Sequence, residues 1–146
     1  MIAKKLSCKN FLSFGRIITY PNKHAQARKK NLFRIVCKEY GAVGWRIAYL
    51  VVRDRAITRL EQHQCTLESF EPVKGRTLLY VAKKKDPRHI ECFYLDKPIV
   101  LCKGVWHGVV TLDAESEVKI TENATVKSAY WQLGFSLNSN HKKSVS

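Results

Sequence analysis

The chain has 146 residues, room for one hydrophobic core and not for two. A composition of 45% hydrophobic and 10% aromatic residues excludes a disordered chain. Lysine and arginine number 26 against 12 acidic residues, leaving a formal net charge of +14 that bears on partners and solubility, not on fold.

In chain order, Leu6 to Gly15 reads as a short N-terminal helix: Ser7 can cap it, Phe11 and Phe14 fall three apart, and Gly15 sits at its stop. Residues 16–20 are strand-like and end at Pro21-Asn22, and a basic stretch over 23–30 without apolar period reads as an exposed loop. Short β-rich runs then follow over 32–37, 45–52, 56–62, 66–70, 77–82, 90–95, 99–102, 105–112, 118–120 and 129–133. Gly41, Gly44, Asp54, Pro72 with Gly75, Asp86-Pro87, Asp96 with Pro98, Gly104 and Gly134 mark the breaks. Runs spaced by roughly eight to twelve residues predict an all-β sandwich or barrel. The connections are too short for the helical crossovers of a parallel sheet. The domain is expected over 1–137, with a polar, disordered tail over 138–146.

Lys4-Lys5 is followed by Cys8-Lys9-Asn10 and not by the apolar core of a signal peptide, so a cytoplasmic location is expected. The longest apolar run, Ile47 to Val52, is far too short to span a bilayer. Cys8, Cys37, Cys65, Cys92 and Cys102 show no zinc-binding spacing and read as reduced thiols, most of them small core residues. The basic residues are dispersed over loops and ends, and no RNP-like or helix-turn-helix pattern accompanies them, so nucleic acid is not the expected partner.

Two runs carry a histidine with further potential ligands. In the first, alternation puts Glu61, His63 and Cys65 on one face, and a turn or bulge brings Glu68 back toward them. In the second, His107 can meet His63 across a barrel interior. Two imidazoles and a carboxylate would make a facial site for a divalent metal. Cys65 is a possible thiolate ligand but reads better as a packed thiol. Trp106 reads as core or pocket wall, and His24, His89 and His141 as surface residues.

These residues resemble the two motifs of the cupins, small jelly-roll β-barrels also described as double-stranded β-helices. The first motif runs His-x-His, three or four residues, Glu, six residues, Gly; His63, Glu68 and Gly75 follow it, with six residues between Glu68 and Gly75 and two in place of three or four before Glu68. The second ends in Gly-x-x-His, matched by Gly104-Val105-Trp106-His107. Cys65 stands where the second histidine would fall, and Cys102 where a proline would. Within the cupins the chain is most similar to the ureidoglycolate lyase (ureidoglycolate hydrolase) family of allantoin degradation. The matching stretches are Phe11-Leu12-Ser13-Phe14-Gly15-Arg16-Ile17-Ile18, Leu60-Glu61-Gln62-His63 with Thr66, Phe70, Pro72, Lys74 and Gly75, and Val105-Trp106-His107. That family has glutamine where Glu68 stands and His-Pro where Gly108-Val109 stands.

The resemblance implies a homodimeric lyase in purine metabolism that splits ureidoglycolate into glyoxylate and urea. It would use His63, Glu61, Glu68 and His107 as catalytic residues, with His63, Glu68 and His107 also holding a metal such as Ni, Mn or Zn. Lys74, Arg59 and Trp106 would contact the small anionic metabolite. Two other readings use the same residues: a non-catalytic cupin that binds a small anion, metabolite or metal, and a metal-dependent cupin isomerase or dioxygenase.

Overall fold

The structure, a computed structural model, describes residues 1–25 and 30–140. Its strands are β1 (Lys4–Lys5), β2 (Gly15–Ile17), β3 (Trp45–Val52), β4 (Ala56–Gln62), β5 (Glu68–Lys74), β6 (Thr77–Lys83), β7 (Asp86–Tyr94), β8 (Ile99–Leu101), β9 (Trp106–Thr111), β10 (Ser116–Asn123) and β11 (Ala129–Asn138). They form a six-stranded sheet in the order β1-β7-β6-β9-β4-β11 and a five-stranded sheet in the order β2-β8-β5-β10-β3.

The pairing is nested. Strand β6 pairs antiparallel with β7, β5 with β8, β4 with β9 and β3 with β10, successive pairs falling in opposite sheets. Four strands folded back on four and wound across two sheets is the jelly roll, so the expected all-β barrel is the observed fold. No helix among the described residues is long and apolar enough to cross a membrane.

Alternation along the strands builds two apolar layers. Between the sheets lie Phe11, Phe14, Phe70, Leu79, Val81, Phe93, Val118 and Ile120. Phe93 meets Phe11 edge-on at 5.3 Å and Phe14 at 5.9 Å; burying each ring contributes about 2 kcal/mol. The intervening residues of β6, Leu78, Tyr80 and Ala82, point the other way and pack with Leu60, Val110, Leu133 and Leu137 on the outer face of the six-stranded sheet. Strand β11 covers that face because its register against β4 shifts between Gln132 and Leu137, with Gly134 at φ 73°. Only a residue without a Cβ takes that conformation at little cost, so Gly134 makes a bulge where a break was expected. The Tyr80 hydroxyl closes the layer by donating to Asn138 O at 2.6 Å.

The outer face of the five-stranded sheet is barer. On its edge strand β3, Trp45 (70% exposed), Ile47, Tyr49 and Val51 all point to solvent.

Several expectations need correction. Residues 8–14 form successive turns and no helix, and Gly15 already opens β2: Phe11 N–H reaches Ser7 O and Gly15 N–H reaches Phe11 O, but Phe14 N–H bonds back to Phe11 O. Both phenylalanines are spent plugging the barrel. Residues 32–37 are no strand: among the described residues no strand pairs with them, and Phe33 stands 87% exposed. Pro72 lies inside β5 and pairs with Val118, and Asp86-Pro87 opens β7. All five cysteines are free, but only Cys92 is buried; Cys8, Cys37, Cys65 and Cys102 are exposed, since they fall in turns and connections and not on inward strand positions. The chain stays ordered past 137: Asn138 ends β11 and the buried Ser139 donates its N–H to Arg55 O at 2.9 Å. Residues 141–146, with His141 among them, lie outside the described residues. His24 and His89 are exposed as expected.

Candidate metal and carboxylate site

Two rows of residues face each other across the barrel. On the six-stranded sheet, Glu61 of β4 is in register with His107 of β9 on one side and Tyr130 of β11 on the other. Directly paired residues share a face, so these three side chains stand together. On the five-stranded sheet, β10 pairs with β5 at Val118–Pro72 and Lys119–Glu71. Continuing that register sets Glu122 opposite Glu68, and Glu122 is itself paired with Arg46 of β3.

His63 follows β4 directly and is fixed at both ends. Its carbonyl accepts the Gly104 N–H at 2.8 Å, and the neighbouring Gln62 Nε2 donates to Gly104 O at 2.8 Å. Gly104, at φ 85°, holds the turn before β9 in a conformation that side chains rarely adopt, which ties His63 to the strand carrying His107.

The two imidazoles converge on one oxygen. Glu68 Oε2 lies 3.2 Å from His63 Nε2 and 3.2 Å from His107 Nε2, with all three side chains buried. The rings are 5.1 Å apart, and Phe70 packs on the His107 ring at 5.5 Å. His107 Nδ1 is 3.0 Å from Val105 O. A carbonyl can only accept, so Nδ1 carries a proton there, and Nε2 is the nitrogen that faces Glu68. His63 Nδ1 faces Lys127 O at 3.4 Å and Ser128 Oγ at 3.3 Å, the same arrangement more loosely held.

Glu68 Oε2 is buried and accepts no well-formed hydrogen bond. A carboxylate facing two imidazole nitrogens under those conditions needs positive charge between them, either as protons on both Nε2 atoms or as a cation. The donor set therefore fits a divalent ion: two imidazole nitrogens oriented through their Nδ1–H groups, with carboxylate oxygen beside them. One ligand atom from each of Glu61, His63 and His107 lies within 4.8 Å of the others, and so does one from each of His63, Glu68 and Glu122.

Electrostatics without a cation point the same way. Burial works against charge on Glu68, but the imidazoles of His107 and His63 standing against it, when they carry charge, outweigh burial and draw the carboxyl from 4.5 down to about 2. Burial likewise opposes charge on His63, and Glu68 followed by Glu61 overcomes it, raising His63 above its ordinary value of 6.5.

Above this cluster opens a cavity of about 210 Å³ whose lining includes Glu61, Glu68, His107, Arg59, Phe70 and Tyr130. The Arg59 guanidinium stacks on the Tyr130 ring at 4.3 Å. Glu61 accepts from Ser128 Oγ at 2.7 Å and from Tyr130 Oη at 3.3 Å, and its Oε1 stands 3.7 Å from His63 Nε2. A second cavity of about 500 Å³ has Gln62, Cys65, Thr66, Thr125, Lys127 and Ser128 in its lining.

Of the residues singled out in the sequence, His63, Glu68, His107, Glu61 and Arg59 come together here. Lys74 does not: it is exposed at the other end of β5, six residues from Glu68 and so about 20 Å along the strand. Trp106 does not either. Alternation turns it away from His107, and it packs on Trp131 at 6.2 Å in the outer layer. Cys65 is exposed on the second cavity and is not a core thiol. Glu122 escaped the sequence reading, although Ser116, Val118, Ile120 and Glu122 form one buried alternating set along β10. Arg46 escaped it too; its Nε and Nη2 donate to Glu122 Oε1 at 3.0 and 2.8 Å.

No protein-family model matches the chain, and no curated protein does. Among solved structures, it is similar to a variant of Bacillus subtilis oxalate decarboxylase, with TM-score 0.46 and 18% identity over 63% of this chain and 24% of that one. The chain thus spans about a quarter of that protein's length. It is also similar to a dTDP sugar isomerase from Desulfovibrio desulfuricans G20, with TM-score 0.45 and 13% identity over 86% of this chain and 81% of that one. The fold assignment rests on the nested strand pairing described above.

Proposed function

We propose that this chain is a cupin-type enzyme that binds a divalent metal through His63, Glu68 and His107 and acts as a lyase on a small carboxylic acid of the ureidoglycolate kind. The observation that carries the metal site is the buried, unsatisfied Glu68 Oε2 with two Nε2 atoms 3.2 Å away. A divalent ion bound there would polarise a substrate hydroxyl and lower its pKa.

The residues of the chain account for the rest of the chemistry. Eliminating urea from ureidoglycolate needs a proton taken from the carbinol hydroxyl, a C–N bond broken and a proton given to the departing nitrogen. Glu61 is suited to take the first proton: it is less buried than Glu68, borders the cavity, and is oriented by Ser128 and Tyr130. With the His63 Nε2 given to the metal, Glu61, once protonated, is the group placed to return that proton to the departing nitrogen. Arg59, braced on Tyr130, supplies a fixed cation for the substrate carboxylate. A cavity of about 210 Å³ is below the roughly 300 Å³ at which drug-sized ligand sites begin, which favours a substrate of few heavy atoms over a nucleotide sugar.

The test is release of glyoxylate from ureidoglycolate by protein supplied in turn with Ni2+, Mn2+ and Zn2+, beside His63→Ala and His107→Ala. Activity with one of the ions, lost in both variants, is expected. Metal bound without glyoxylate release would overturn the lyase reading.

A further inference from the structure

We propose that Glu122 is a fourth ligand of this metal site, standing in from another strand for the histidine that the His-x-His pattern would place at Cys65. The inference rests on the metal reading above and adds to it. Cys65 is exposed and lines the second cavity, and its carbonyl accepts from Asn123 Nδ2 at 3.2 Å. The position that would complete two histidines and a glutamate is therefore vacated by the chain's own geometry.

Glu122 supplies what is missing. It ends the inward-facing series of β10, is 8% exposed, and by the continued register lies opposite Glu68. One of its oxygens lies within 4.8 Å of a ligand atom of His63 and of one of Glu68. Two buried carboxylates side by side repel unless a cation separates them. Arg46 offsets part of that charge, but both of its hydrogen bonds go to Glu122 Oε1, and a carboxylate keeps acceptor positions beyond those two. Glu68 Oε2 is left unsatisfied even so.

Glu61, the other carboxylate at hand, is less suited to this role. Its side chain is 35% exposed and already accepts from two hydroxyls, which fits a group facing substrate. The resulting donor set, two imidazoles and two carboxylates without sulfur, favours Mn2+, Fe2+ or Zn2+ over softer ions.

The test is titration of the full chain with Co2+ alone, followed by visible absorbance, for wild type, His63→Ala, Glu122→Gln, Glu122→Asp and Cys65→Ser. Glu122→Gln keeps an oxygen for Arg46 and removes the charge; it is expected to weaken binding at least tenfold and to alter the absorbance band. Glu122→Asp, which keeps the charge on a shorter arm, is expected between Glu122→Gln and wild type, and it decides the matter if the glutamine variant does not fold. Cys65→Ser is expected to bind as wild type does. Loss in His63→Ala with unchanged binding in both Glu122 variants would overturn the role of Glu122 and leave the metal reading standing. A wild type that takes up no Co2+ would overturn both.

Discussion

The six-stranded sheet brings both imidazoles and the five-stranded sheet the two buried carboxylates, and these two halves of the site are held by different means. His107 is oriented by the backbone, its Nδ1–H donating to a carbonyl two residues away, and His63 is tied through Gly104 to the same strand. This half is set by local chain geometry. Glu68 and Glu122 are buried carboxylates on adjacent strands, and they depend on charges from elsewhere: Arg46 on one side and the two histidines on the other. The outer faces differ as well. Strand β11 seals the six-stranded sheet, whereas β3 leaves an apolar stripe of the five-stranded sheet in solvent. The lesson is that the carboxylate half should respond most to a change of charge, and the outer face of its sheet least to a change of packing.

The largest effect is expected at Glu68. Replacing it with alanine removes one partner of a buried charged cluster and should cost the metal-free protein about 3 kcal/mol or more, measured by urea unfolding. A loss within about 0.5 kcal/mol would mean that the carboxylate half is not held by the histidines.

A pH series on the metal-free protein tests the same dependence with a defined sign. Glu68 is drawn down from 4.5 to about 2, so its contribution is present above pH 4.5 and is lost as pH falls toward 2. His63 is raised above 6.5, so its contribution is complete below pH 6.5 and is lost as pH climbs through the raised value. Both are present between pH 4.5 and 6.5, where stability should be greatest. Glu68→Gln should flatten both limbs of the profile; unchanged limbs would place their origin elsewhere.

Two smaller changes sharpen the contrast between the outer faces. Tyr80→Phe removes the part-buried hydrogen bond to Asn138 O and should cost about 1 kcal/mol in the same unfolding assay. Ile47→Thr, on the exposed β3 stripe, should stay within about 0.5 kcal/mol as a monomer. A cost at Ile47 as large as that at Tyr80 would show that this face is covered in solution.

The strands were the most legible part of the sequence, because alternation and turn residues are local signals: β3 and β4 begin and end where the pattern does. Residues 32–37 carry the same local signal without forming a strand, since a strand needs a partner and sequence pattern does not report one. The turns over 8–14 failed as a helix because Phe11 and Phe14 gain more from packing on Phe93 than a short isolated helix would gain from its hydrogen bonds. At the site, His63, Glu68 and His107 were legible because motif spacing marks them. Lys74 was misplaced because distance along a strand separates residues that a motif lists together. Glu122 and Arg46 belong to no motif, and their place follows only from the register of β10 against β5 and β3.

The central claim, that the Nε2 atoms of His63 and His107 face a cation beside Glu68, is tested most directly by the ring nitrogens themselves. Nitrogen-15 NMR of the histidine side chains, recorded before and after addition of Zn2+, should show Nδ1 protonated in both rings of the loaded protein and both Nε2 signals moved to the range of metal-bound imidazole. An Nε2 that keeps its proton in either ring at saturating Zn2+ would contradict it.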